Sequence, residues 1–485
     1  MKDGLYWAQE LRQKKISHQE LISEIQQKIQ KINPELNALI AFYPQAALNY
    51  LEKNPNVLEL PFAGQPLPLK ILGQNHLDWP ATSASQLLKK SRASRDDFFV
   101  QQLKASGFVP IGQTNSPEFG FKNITDPKLY GVTRNPWNLE KTPGGSSGGA
   151  AASVASGIFP IAGASDGGGS IRIPAAFCGL IGLKPTRGTI PVGPDHWRGW
   201  QGAAINFALT ISMRDTKELY YQMRKIHPAA PYQAPFKAWQ DSQTSVSKKL
   251  RIAVCLDSPV QSAVSKEAQE AVIQAQQALE KLGHSVVEVS YPVDGRQLIH
   301  SYYEMNGAET AAMMATIEQH HQRAVTLDDV EPMTWAIYQY GKKIPAANYV
   351  YALQLWDEAT YQMEELFTDY DLFLSPTTAQ VAPDIATEFQ SEALKSQLRQ
   401  IQSADLSASN QLIQDMFQKG LEITPFTQLA NLTGQPAISL PTHLTAENLP
   451  LGIQFMAARG REDLLFLVGE IFEQAVGFHL PPSYQ

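Results

Sequence analysis

Apolar residues are arranged in two ways along this chain. Near the start, Ser17-His18-Gln19-Glu20 has the form of a capping box, and Leu21, Ile22, Ile25, Ile29 and Ile32 follow at helical spacing. Asn33-Pro34 is expected to stop that helix, because proline cannot donate to the helical ladder. Residues 1–60 therefore read as an N-terminal helical layer. From Leu67 the apolar residues come instead in short runs bounded by Gly, Pro and Asn. PLPLKILG, FVPIGQT, IFPIAGAS, LRIAVCL, DLFLSP and PAISLP read as strands, with SRDDFFVQQLKASG and DLLFLVGEIFEQ among the helices between them. That alternation predicts an α/β fold: a twisted mixed sheet covered by helices on both faces. Residues 226–249, rich in Pro, Gln, Ser and Ala, read as a surface excursion, and 265–370 as mainly helical. No internal repeat or heptad run is present.

Composition narrows the function classes. The 485 residues are 43% hydrophobic and 18% charged, the profile of an ordinary globular protein. A net charge of −7 and no basic run give no electrostatic reason to bind nucleic acid or an anionic membrane surface. MKDGLYWAQELRQKKISHQE lacks the apolar stretch of a secretory signal, and no segment reaches the roughly 20 apolar residues that span a bilayer. Cys178 in FCGL and Cys255 in IAVCLD read as buried free thiols, and the expected location is the cytoplasm.

The candidate chemistry lies in two glycine clusters, GGSSGG (144–149) and DGGGS (166–170). A flexible linker is the plain reading of the first, but Ala150–Ile158 is an Ala-rich helix-forming run and SIRIPAAFCGLIGLKP is densely apolar, so a linker would sit inside a core. A phosphate loop needs Gly-Lys-Ser/Thr at its end, and Ala150 follows Gly149. A nucleophile elbow, G-x-S-x-G, must follow an apolar strand, and NPWNLEKTP precedes. What remains is that glycines beside a serine leave backbone N–H groups free to converge on a developing oxyanion, as Gly167-Gly168-Gly169-Ser170 would at a strand end.

The whole stretch GGSSGG…ASDGGGSIRIPAAFCGLIGLKPTRG closely resembles the amidase signature family of Ser-Ser-Lys hydrolases. QTNSPEFGF (113–121), YGVTRNPWN (130–138), TPFTQLANLTGQPAISLP (424–441) and LPLGIQFMAARGREDLLF (449–466) resemble other blocks of that family, so the likeness covers most of the chain. The resemblance implies one domain over 1–485, with a catalytic core in 61–225, a variable, cap-like segment in 226–370 and a return to the core in 371–485. It implies Ser170 as nucleophile, Ser146 as its proton-shuttling partner on a cis peptide, and Ser147 in support. The oxyanion hole would be backbone N–H groups of Gly167, Gly168, Gly169 and Ser170. Asp166 and Arg172 would orient the glycine turn. No metal or cofactor is implied, and the expected partner is a small linear or cyclic amide. A homodimer is the candidate assembly.

The third member of the triad needs an alignment choice, because the usual Lys-Asp-Asn motif is missing. Aligning on Asn75 puts the lysine position at Gly73 and implies a dead enzyme. Aligning on the approach FAGQPLPLK puts it at Lys70, with Leu72-Gly73 matching a Lys-Asp-Leu-Gly variant of 6-aminohexanoate cyclic-dimer hydrolases. The second alignment is adopted, and it leaves Ile71 where most members carry Asp. A lysine with an ordinary pKa of about 10.4 is neutral in only about one molecule in 2,000 at pH 7, so Lys70 can act as a base only if burial depresses its pKa.

Other patterns carry less. Asn115 and Glu118 are expected to brace loops, and His320-His321 has no third metal ligand at suitable spacing. Ser245-x-x-Lys248 matches a β-lactamase spacing by chance. Tyr302, Tyr303, Met305, Met313, Met314, Trp335 and Tyr338 lie in the segment least like the family and are candidates for core or for an acyl-pocket wall. Two readings of other kinds stay open: the glutamine-hydrolysing subunit of a tRNA-dependent amidotransferase, and a catalytically inactive homologue.

Overall fold

The N-terminal capping box forms as expected, Ser17 Oγ accepting from Glu20 N–H at 3.2 Å and the Glu20 carboxylate from Ser17 N–H at 2.8 Å. The helix runs from His18 to Leu36, so Pro34 lies inside it and does not end it. In the last turn a missing N–H removes a single ladder bond. The stop is made by Asn33, whose Oδ1 accepts from Ala38 and Leu39 N–H at 2.9 and 2.8 Å, and by Asn37 at φ +50°. The computed structural model describes residues 2–234 and 248–485. Most of the predicted polar excursion, with Ser245 of the Ser-x-x-Lys pattern, lies outside the described residues.

The strands form two sheets where the sequence pattern suggests one. β1 (Leu39–Phe42), β2 (Gln65–Lys70) and β3 (Phe108–Thr114) make a small sheet in the order β1-β3-β2, with β2 parallel to β3. β4 (Ala162–Asp166), β5 (Ile181–Lys184), β6 (Ile205–Thr210), β7 (Arg251–Val254), β8 (Ser285–Glu288), β9 (Leu372–Pro376), β10 (Ala437–Leu444) and β11 (Pro450–Met456) make a mixed sheet in the order β4-β6-β5-β10-β11-β9-β7-β8. The separation follows from Pro66 and Pro68, which have no N–H to donate and confine β2 to an edge. The bare side of β2 lies against β4, where Gly163 permits the approach: a Cβ there would stand 3.3 Å from the Pro68 carbonyl oxygen.

Helices cover the main sheet, Arg172–Cys178 against β5, β10 and β11, and Lys266–Lys281 against β8, β9 and β11. The N-terminal layer packs Leu21, Ile22 and Ile25 onto Val109 and Ile111 of β3. Residues 265–370 are mainly helical, but the stretch from 248 is more than a cap, since β7, β8 and the helix Lys266–Lys281 complete one edge of the main sheet. Cys178 and Cys255 are free and buried. None of the described helices is long and apolar enough to cross a membrane.

The two cap helices Gly295–His321 and Pro332–Gly341 touch backbone to backbone, because a Cβ at Gly341 would overlap the Gly307 carbonyl. Gly341→Ala is therefore expected to cost about 1–3 kcal/mol in urea unfolding. Gly420→Ala, in a helix where a Cβ meets nothing within 4 Å, is expected to be neutral or stabilising by up to about 1 kcal/mol.

Candidate active site

Lys70 ends β2, paired with Thr114 of β3, and its side chain is fully buried. Gln74 holds the strand end in place: its Oε1 accepts from Lys70 N–H at 2.9 Å and its Nε2 donates to Ala164 O of β4 at 2.9 Å. The Lys70 Nζ reaches Ser146 Oγ at 2.7 Å and Ser165 Oγ at 2.9 Å. Of the two alignments, then, the geometry brings Lys70 to Ser146. A Cβ at Gly73 would face only Asn206 Oδ1, at 3.7 Å. Ile71, in place of the usual acid, is buried and donates its N–H to Thr114 O at 3.2 Å.

The first glycine cluster is a packed turn, not a linker. The Gly145–Ser146 peptide is cis. Gly145 has no room for a side chain, as a Cβ would lie 2.6 Å from Ile124 N. Ser147 closes the turn ahead of the helix Gly148–Ala155 and ties the two clusters together. Its Oγ donates to Ser165 O at 3.1 Å, and its N–H donates to Ser170 O at 3.3 Å.

The second cluster is shaped around the Asp166 carboxylate at the end of β4. That carboxylate accepts the N–H of Gly169 at 2.6 Å and of Ile171 at 3.1 Å, and it also receives Arg172 Nε at 3.0 Å and Nη2 at 2.9 Å. Burial alone would raise the Asp166 pKa, but the adjacent Arg172 guanidinium outweighs it and holds the group down at about 2. Arg172 is itself fully buried and extends the network to Thr427 O and Gln454 Oε1, both at 2.7 Å, and to Asn431 Oδ1 at 2.6 Å. Thr427 Oγ1 fixes the Gly168 carbonyl at 2.7 Å. Gly169, at φ +124°, has no space for a Cβ beside Thr427.

This network amends one expectation. Gly169 N–H is spent on Asp166 and is not free for an oxyanion. The N–H groups of Gly167, Gly168 and Ser170 donate to no acceptor among the described residues. Ser170 is 9% exposed, Ser146 2% and Lys70 0%, so of the three Ser170 meets solvent most. Burial depresses the Lys70 pKa to about 7, and Asp166 offsets part of that shift.

Several neighbours of the site escape a reading from sequence alone. Ser165, Gln74, Thr427, Asn431 and Gln454 touch Lys70, the glycine turn or the Asp166–Arg172 pair, and all but Gln74 lie within stretches that resemble family blocks. Asn115 and Glu118 brace loops: Asn115 Nδ2 donates to Gly131 O at 2.9 Å, and Glu118 accepts from Ser85 and Thr334 hydroxyls, both at 2.6 Å. His320 and His321 end a helix in solvent. In the 300–355 segment, Tyr302 stands at the glycine turn, while Tyr303, Met305, Met314 and Tyr338 are buried in the core.

The family model described as Amidase matches residues 20–466. The chain belongs to the amidase signature family. It is 34% identical to the 6-aminohexanoate-cyclic-dimer hydrolase of Paenarthrobacter ureafaciens, over 98% of this chain and 94% of that one. It is 38% identical to the lipoamidase of Enterococcus faecalis over 96% of its own length, and spans 62% of that longer protein. The solved structure of 6-aminohexanoate cyclic dimer hydrolase with substrate superposes with a TM-score of 0.89 at 32% identity, covering 100% of this chain and 99% of that one. This amidase signature protein is accordingly a hydrolase of carbon–nitrogen bonds.

In this amidase fold the buried ion pair predicts an acid-dependent phenotype. Asp166 has a folded pKa below its ordinary value, so its contribution is present above pH 4 or so and is lost as the pH falls through about 2. Arg172→Met strands the carboxylate and is expected to cost about 3–5 kcal/mol near neutral pH. The stranded carboxyl can then be relieved by protonation, so the deficit in urea unfolding should be smaller at pH 4.5 than at pH 7.5.

Proposed function

We propose that the protein cleaves a small linear or cyclic carboxamide through an acyl-enzyme on Ser170, with Ser146 relaying protons and Lys70 as the base. The observation that carries this reading is the 2.7 Å contact between the fully buried Lys70 Nζ and the buried Ser146 Oγ. Burial disfavours the ammonium form, and a pKa near 7 leaves a large neutral fraction at working pH.

In the first half-reaction Ser170 Oγ bonds to the carbonyl carbon while its proton passes to Ser146 Oγ, whose own proton passes to neutral Lys70. The carbonyl oxygen gains the negative charge and takes the free N–H groups of Gly167, Gly168 and Ser170. As the intermediate collapses, the carbon–nitrogen bond breaks, and ammonium Lys70 returns its proton through Ser146 to the leaving nitrogen. Water then attacks the ester by the same relay, releasing the acid and restoring Ser170. Asp166, Arg172, Thr427 and Ser147 act by holding the two turns in register. The relatives named 6-aminohexanoate-cyclic-dimer hydrolase and lipoamidase support a small amide as the substrate.

A fluorophosphonate probe is expected to add to Ser170 and not to Ser147, read by peptide mass mapping. Ser170→Ala should lower kcat by about 10³-fold or more without loss of the fold, since the change is sterically mild. With a panel of linear, cyclic, aryl and peptide amides, that variant serves as the blank.

The lysine makes a separate prediction. kcat/KM should rise with pH through an apparent pKa near 7, the value to which burial depresses Lys70. Lys70→Met should abolish activity while raising thermal stability, because it replaces a buried ionisable group with an apolar one of similar length. Ser146→Ala should impair amides more than activated esters, whose leaving groups need no proton. Equal losses, or an active Lys70→Met enzyme, would remove the relay.

A further inference from the structure

Beside the glycine turn, four consecutive residues take left-handed backbone angles: Gly199, Trp200, Gln201 and Gly202 at φ +34°, +51°, +51° and +80°. Trp and Gln carry a Cβ that disfavours this region, so such a run persists only where its surroundings over-determine it. Here they do. Arg187 Nε holds Gly202 O at 3.0 Å, Gln201 Nε2 bridges Glu309 Oε1 at 3.1 Å and Tyr349 Oη at 2.7 Å, and Tyr232 Oη donates to Gln201 Oε1 at 3.1 Å.

The braced turn aims Trp200 at the catalytic backbone. A Cβ on Gly167 would lie 3.0 Å from Trp200 Cζ3, and a Cβ on Gly168 would lie 2.8 Å from the Tyr302 hydroxyl. The two rings meet edge to face with centroids 5.9 Å apart, and Phe121 stacks parallel to Trp200 at 6.1 Å. The Tyr302 hydroxyl hydrogen-bonds to none of the described residues. Burial raises its pKa, so it remains a donor throughout the working range.

We propose that Trp200 and Tyr302 determine the acyl specificity of this amidase, Trp200 as an apolar face beside the scissile carbonyl and Tyr302 as a hydrogen-bond donor to a neutral acceptor on the acyl chain. The proposal rests on Ser170 as nucleophile. A carbonyl carbon bonded to Ser170, with its oxygen on the N–H groups of Gly167 and Gly168, must lie near whatever covers those glycines. A charged acyl group would be desolvated against these rings, with Arg172 already paired to Asp166 and Arg187 holding the carbonyls of Gly202, Asn431 and Leu432. The favoured class is therefore an uncharged, extended acyl chain that carries an acceptor such as a second amide.

The test uses anilides of three acyl sets: unbranched acids of two to eight carbons, ω-acetamido acids of the same lengths, and dicarboxylic acid monoanilides. The wild type should prefer an ω-acetamido chain over the plain chain of equal length and discriminate strongly against the charged set. Tyr302→Phe should shrink the acetamido preference about tenfold, chiefly through KM, the worth of one hydrogen bond to a neutral group. Trp200→Ala should flatten the dependence on chain length, and Trp200→Phe should restore part of it. Variants that change only Tm, leaving every substrate ratio within twofold of wild type, would overturn the proposal. Fluorophosphonate labelling run in parallel separates the two levels. Labelled Ser170 with unmoved ratios rejects the Trp200–Tyr302 pair alone, whereas an unlabelled wild-type Ser170 rejects the acyl-enzyme and with it the specificity built on it.

Discussion

The buried pair between Asp166 and Arg172 is the contact on which the rest of the site depends. Two charges removed from water are costly unless each is fully used, and here both are. The carboxylate gathers N–H groups on either side of Ser170, while the guanidinium reaches Thr427, Asn431 and Gln454, from the 424–441 stretch and β11. A turn of three glycines has little conformational preference of its own. Its shape is imposed from one side by Asp166 and from the other by Thr427, which fixes the Gly168 carbonyl. The same arrangement spends the Gly169 N–H on structure and leaves those of Gly167, Gly168 and Ser170 without an acceptor among the described residues.

Lys70 presents the opposite electrostatic case. It is as buried as Arg172, but among the described residues no carboxylate contacts it, and its Nζ meets the hydroxyls of Ser146 and Ser165 and the Ser165 carbonyl. Arg172 has a carboxylate built against it, whereas burial without such a contact drives Lys70 toward neutrality. Asp166 acts on both, binding one directly and moderating the depression of the other. One strand terminus thus supplies both a scaffold charge and a field felt by the lysine.

The glycine turn is also where scaffold meets cap. Glu118 accepts from Ser85 and Thr334 hydroxyls and from Glu331 N–H, which pins the start of the helix Pro332–Gly341 to the loop that carries Phe119 and Phe121. Phe121 stacks on Trp200, and Trp200 meets Tyr302 of the neighbouring cap helix. The helices Gly295–His321 and Pro332–Gly341 are in this way joined to the loop after β3 and to the glycine turn.

How much of this was legible in the chain itself follows from the range of the interactions. Local signals sufficed for the capping box at Ser17, the strands β2, β3, β4, β7, β9 and β10, the helices at 98–105 and 462–471, and the two glycine clusters, because each rests on contacts within a few residues. They failed at Pro34, where the end of the helix is set by Asn33 reaching ahead to Ala38 and Leu39. They also failed to split the sheet, although Pro66 and Pro68 carried the signal that β2 must be an edge. The proposed roles of Ser146 and Ser170 rest on resemblance, and the choice of Lys70 over Gly73 on aligning one approach segment. Nothing in the sequence could say that Gly169 N–H is occupied, that Gln74 and Ser165 flank Lys70, or that Trp200 covers Gly167. Those facts depend on contacts between segments distant in sequence, and only the folded backbone, with its glycines placed where other chains must pass, decides which side chains meet.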